Sequence, residues 1–139
     1  MKRAKLLLGL FTFGGFWFAT SPAAGQFVPS SNRVDRMEIK QGPEIELNHE
    51  HLTIIRWTSN NPGGSPEHFA VVHYGTDPKQ LNLTAKSHIR LNPSHDYTVF
   101  RVRMDDLTAK TTYYYSVDSM DSSGKSDGVN SPVQSFTTP

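Results

Sequence analysis

The chain has 139 residues, with 14 Lys and Arg against 13 Asp and Glu and no cysteine. The absence of cysteine excludes disulfides, thiol catalysis, thiolate metal sites and lipid attachment through sulfur. The length supports one modest core and leaves little room for an enzyme with its own enclosed cavity, and the charge balance offers no basic stripe for nucleic acid.

At the N-terminus, Lys2, Arg3 and Lys5 precede the apolar run Leu6 to Ala19, and the small residues of TSPAAG follow. This order predicts a secretory signal peptide over residues 1–25, cleaved near Ala24 or Gly25. The run has 14 residues, broken by Thr12, Gly14 and Gly15, well short of the roughly 20 that cross a bilayer. No stable membrane insertion is expected after cleavage, and the product is expected to be secreted or periplasmic. Removing Lys2, Arg3 and Lys5 leaves 14 − 3 = 11 cations against 13 anions, a net charge of −2. Residues 26–41 contain Pro29 and the polar run Ser30 to Asn32 with no sustained period, which predicts a flexible arm or linker. The folded domain is expected over 42–139.

From Gly42 and Pro43 onward the apolar residues alternate in short runs between turn residues. The pattern predicts strands at Glu44 to Leu47, His51 to Thr58, His68 to Gly75, Asn82 to His88, Tyr97 to Met104, Thr111 to Met120 and Val133 to Thr138. SNNPGGSPE, TDPKQL and NPSHD are the turns between them, and SGKSDG (Ser123 to Gly128) is the turn before the last strand. After Ser30 no window repeats at 3.6 residues. Seven short strands within about 100 residues predict an all-β, antiparallel sandwich of immunoglobulin type, two sheets burying their apolar faces against each other.

Period two sorts the tyrosine run TTYYYSV. Tyr113, Tyr115 and Val117 point inward, and Tyr114 and Ser116 outward. With Trp57, Val72, Tyr74, Leu107 and Phe136 they form the predicted structural core. L-x-x-x-T-x-Y-x-Y-x-V, spelt by Leu107, Thr111, Tyr113, Tyr115 and Val117, resembles the strand approach and tyrosine corner of fibronectin type III domains, and IIRW (Ile54 to Trp57) resembles their early tryptophan strand. More closely, GPEIELNHEHLTIIRWTS, VVHYGTDPKQL, VFRVRMDDLTAKTTYYYSVDS and SPVQSFTTP together resemble the N-terminal fibronectin-like domain of purple acid phosphatases, over Gly42 to Pro139. In that family the resemblance implies a metallophosphoesterase domain following the FTT sequence, with two metal ions held by Asp, Asn, His and Tyr of that domain. Here the sequence ends at Pro139, and a two-metal clamp needs its full ligand set.

NHE, at Asn48 to Glu50, spells a tripeptide of the kind used for metal in that catalytic domain, but it falls in a turn without the accompanying motifs and is read as chance. His49 and His51 are two apart with no third donor in view. His73 lies on the face opposite Val72 and Tyr74, and His68, His88 and His95 adjoin turns and are expected to be solvated. Arg101 and Arg103 project outward from one strand, Arg56 joins them if the strands pair in the fibronectin order, and nearby carboxylates are expected to pair with them. Asn82 begins an N-x-T glycosylation sequon. The fourth strand and VQSFTT are the least defended sheet edges.

No residue is expected to be catalytic, to bind a cofactor or to ligate metal. Two functions follow. One is an exported noncatalytic module that binds or supports a protein partner or companion catalytic domain. The other is an accessory or truncated part of a metal-dependent acid phosphatase, whose chemistry belongs to a separate or missing catalytic domain.

Overall fold

The structure is a computed structural model that describes residues 37–92 and 94–139. The expected signal peptide and residues 26–36 of the expected arm lie outside the described residues. Among the described residues eight strands follow one another: β1 (Ile39–His49), β2 (Leu52–Asn60), β3 (Glu67–Gly75), β4 (Leu83–Arg90), β5 (Tyr97–Met104), β6 (Thr112–Asp121), β7 (Ser126–Asn130) and β8 (Gln134–Thr137). All pair antiparallel, in two sheets. The first sheet runs β1-β2-β5, and the second runs β4-β3-β6, with β7 and β8 both on the far side of β6. The fold is the expected antiparallel sandwich with one strand more than expected.

The extra strand is a correction to the reading of SGKSDG as a turn. Only its first residues turn, and Ser126–Asn130 already pairs with β6, Asn130 opposite Asp118. β8 then pairs with the opening of β6, Thr112 opposite Thr137. Between them stands Pro132, which has no N–H to give a ladder and so splits one edge strand into two pieces.

A second correction concerns the N-terminal boundary. β1 starts at Ile39, opposite Ser59, and Met37 is buried in the core, so residues 37–41 belong to the sandwich and not to the arm. The register shifts between Gln41 and Glu44, where Gly42 has φ 81°. A Cβ there would sit 2.9 Å from the carbonyl oxygen of Arg56. Only glycine accepts both the left-handed backbone and that approach.

Alternation fills the space between the sheets. Ile55 and Trp57 of β2, Phe100, Val102 and Met104 of β5, Ala70 and Val72 of β3, and Tyr113, Tyr115 and Val117 of β6 face inward and are buried. Trp57 and Phe100 are register partners and stack with ring centroids 5.3 Å apart. Asn48 joins the two sheets at their margin, its Nδ2 donating to the carbonyl of Thr137 at 2.8 Å while its Oδ1 accepts from Thr53 Oγ1 at 3.1 Å.

Candidate interaction surface

The residues predicted for the core lie as follows. Trp57, Val72, Leu107, Tyr113, Tyr115, Val117 and Phe136 are buried, and Tyr74 is half-buried against them. Tyr113 sits where the chain crosses from β5 in the first sheet to β6 in the second. The backbone N–H of Thr108 donates to its hydroxyl at 3.0 Å, and its ring stacks on Phe136 with centroids 5.8 Å apart. The Tyr115 hydroxyl donates to Gln134 Oε1 at 2.9 Å, and burial pushes its pKa up. The tyrosine run is therefore mostly interior, with Tyr114 half-buried on the outer face.

The histidines separate into structural and surface groups. His51 Nδ1 lies 3.0 Å from the carbonyl of Leu107, pinning the crossing segment before β6. His49 is exposed, and among the described residues no cluster of three His, Asp or Glu could hold a metal ion. Of the NHE residues, Asn48 is engaged with Thr137 and Thr53, and the neighbouring His51 lies on Leu107.

His68 corrects the expectation of a solvated residue beside a turn. Its side chain and that of Asp127 are each 2% exposed, with Nδ1 2.9 Å from Asp127 Oδ2, and Ser119 Oγ donates to the same oxygen at 2.8 Å. His68 Nε2 is buried with no hydrogen-bond partner among the described residues. The cluster ties β3, β6 and β7 at one end of the core. It holds an acid, an imidazole and a hydroxyl, but Asp127 stands between the other two, so no hydroxyl is presented to the imidazole as a nucleophile. Its signal in the sequence was parity: His68 shares a face with Ala70 and Val72.

On the outer face of the first sheet, Arg56 lies opposite both Glu44 and Arg101. Arg56 reaches Glu44 at 3.0 Å, Arg101 reaches Glu46 at 2.8 Å, and Arg103 reaches Asp105 at 2.7 Å. The bond from Arg101 lowers the Glu46 pKa. Each of these three arginines thus meets a carboxylate, as the expected pairing requires.

The outer face of the second sheet is different. Its rows read His88–Phe69–Met120 and Lys86–Val71–Asp118 across β4, β3 and β6. Phe69, Lys86, Met120, Asp121 and the turn Ser122 to Gly124 line an open groove of about 310 Å³. Asp121 is committed to that turn: its Oδ1 accepts from the N–H of Ser123 at 2.9 Å and of Lys125 at 3.1 Å, and from Ser123 Oγ. The bond from the Ser123 hydroxyl is the main cause of its lowered pKa. Asp118 is held above its ordinary range by burial, while Ser126 Oγ and the N–H of Ser119 donate to its Oδ1. Asn82 is exposed, and Leu83 and Thr84 of its sequon open the edge strand β4.

Comparison with known proteins adds the following. A sequence model of one domain family, described as the N-terminal domain of purple acid phosphatase, matches residues 42–138. No curated protein matches. Among solved structures, the sensor domain of the anti-sigma factor RsgI4 of Pseudobacteroides cellulosolvens is 17% identical with a TM-score of 0.50, covering 73% of this chain and 88% of that one. A β-1,2-glucanase of Parabacteroides distasonis is 14% identical with a TM-score of 0.41, covering 76% of this chain and 14% of that one. At these identities the first likeness shows a shared fold and nothing of function.

Proposed function

The chain belongs to the purple acid phosphatase N-terminal domain family, and from this we propose that it is an exported, noncatalytic sandwich that supports a companion metallophosphoesterase domain by docking to it. One observation carries the reading. Several side chains with catalytic or ligating chemistry are spent on structural bonds, with His51 on Leu107, Asn48 on Thr137, and His68 and Ser119 on Asp127, and among the described residues no three His, Asp or Glu converge. The arginines of the first sheet hold their own carboxylates. Such a module offers surface and rigidity rather than reacting groups.

Three measurements test this. The N-terminus of the exported protein, read by mass spectrometry, should begin after Ala24 or Gly25, and an intact Met1 on exported protein would refute the leader. The purified chain should not hydrolyse p-nitrophenyl phosphate above background with iron, zinc or manganese. Turnover that copurifies with it and vanishes on replacing His49 and His51 would overturn the noncatalytic reading. A separately produced purple acid phosphatase catalytic domain should bind it in calorimetry, and no heat at high micromolar concentration would remove the docking role.

A further inference from the structure

Every other lysine or arginine on a strand holds a carboxylate: Lys40 on Glu38, Arg56 on Glu44, Arg90 on Glu67, Arg101 on Glu46 and Arg103 on Asp105. Lys86, midway along the edge strand β4, holds none among the described residues. Its register partner is Val71, and it lines the groove together with Phe69 and Met120. Phe69 and Met120 are themselves register partners, so two large apolar side chains lie side by side next to an unneutralised ammonium. The acids nearby, Asp121 of the groove lining among them, make their hydrogen bonds to groups other than Lys86. Asp121 serves its turn, Asp118 takes Ser126 and the N–H of Ser119, and Glu67 is shared by His88 and Arg90.

We infer that this groove is a docking site for a protein segment presenting an aliphatic or aromatic side chain beside a carboxylate. The apolar side chain covers Phe69 and Met120, and the carboxylate meets Lys86 Nζ. The charge decides the chemistry of the partner. Covering an ammonium without bringing an anion leaves a desolvated, unpaired charge, which opposes binding. An anion without an apolar neighbour leaves Phe69 and Met120 wet. The inference rests on the docking reading above, and it names the face that the companion domain uses.

The test is a ¹H–¹⁵N NMR titration of the exported chain with a blocked pentapeptide of alternating glutamate and leucine or phenylalanine. The controls are the same peptide with lysine for glutamate, and inorganic phosphate alone. The acidic peptide should give saturable shifts at Phe69, Lys86, Met120 and the 121–124 turn. Lys86→Glu should weaken it about tenfold or more and turn the preference toward the lysine peptide. Equal binding of both peptides, shifts elsewhere, or no effect of Lys86→Glu would overturn the assignment, as would absence of shifts at millimolar peptide. Matching shifts with phosphate alone would make it a plain anion site. A dimer by light scattering that Lys86→Glu abolishes would make the occupant a second copy, which also refutes the proposal. If the catalytic domain binds and Lys86→Glu leaves that affinity unchanged, the groove fails while the supporting role stands. If that domain does not bind, the supporting role fails, and the peptide titration still decides the groove.

Discussion

The hydroxyl of Tyr113 anchors the segment that carries the chain from one sheet to the other, and it can be removed without touching the ring. Tyr113→Phe removes the acceptor of the Thr108 N–H and should cost about 1 kcal/mol in urea unfolding. Tyr113→Ala also empties the contact with Phe136 and should cost about 3 kcal/mol. Tyr115→Phe loses a bond to the exposed Gln134 and should cost less than Tyr113→Phe. Tyr114→Ala should cost less than half of Tyr113→Ala, and the reverse order would mean an inverted register. These orientations were legible because period two leaves no choice once one tyrosine faces inward. Asp118 gives a pH test. Burial raises its folded pKa, so the folded state holds this proton more readily than the unfolded one. The stability contribution is full below the ordinary value of 3.8 and is lost as pH rises through the raised value. Asp118→Asn should therefore be more stable than the parent near pH 7, with the gap closing below about pH 3.8. A gap that grows toward acid would show that the folded state favours the anion. The engagement of His68 with Asp127 was harder to see, because proximity to the turn SNNPGGSPE outweighed its parity with Ala70 and Val72.

At the scale of elements, alternation located the strands, and the misreadings fell where backbone chemistry overrides it. β1 was read as four residues because Gly42 and Pro43 look like a stop, whereas Gly42 takes a left-handed conformation inside a bulge and the strand continues on both sides. Gly42→Ala puts a methyl against the Arg56 carbonyl and should cost at least about 1–3 kcal/mol by thermal or urea unfolding. An unchanged midpoint would show that the bulge relaxes freely. β7 was missed because SDGVN has turn composition; its place is set by Ser126 Oγ on Asp118 and by Asp127 in the buried cluster. Asp127→Ala leaves His68 Nδ1 and Ser119 Oγ buried without that acceptor and should cost about 1–3 kcal/mol for each group so stranded. The final strand, expected to be a weakly defended edge, is held at Thr137 by Asn48 of the other sheet. That bond joins residues 89 apart and left no local mark in the sequence.

For the whole molecule, the open question at the sheet margins is what stops one copy from pairing with another. Among the described residues β4 pairs only with β3, which leaves its other edge able to template a strand. Its outward positions carry Thr84, Lys86, His88 and Arg90. A two-fold antiparallel pair made by β4 with itself sets residues opposite one another whose numbers sum to a constant. Pairing Lys86 with Lys86 or with Arg90 brings two cations together, and like charges directly opposite one another are destabilising. The same lysine that would attract an acidic segment at the groove therefore disfavours self-association. The chain should run as a monomer by light scattering at low ionic strength across a wide concentration range. Replacing Lys86 and Arg90 together by threonine removes the repulsion and raises β-propensity, so the double variant should show a concentration-dependent increase in mass. A parent chain that dimerises at low salt, with β4 amides protected from hydrogen exchange only in the dimer, would show that these cations do not guard this edge.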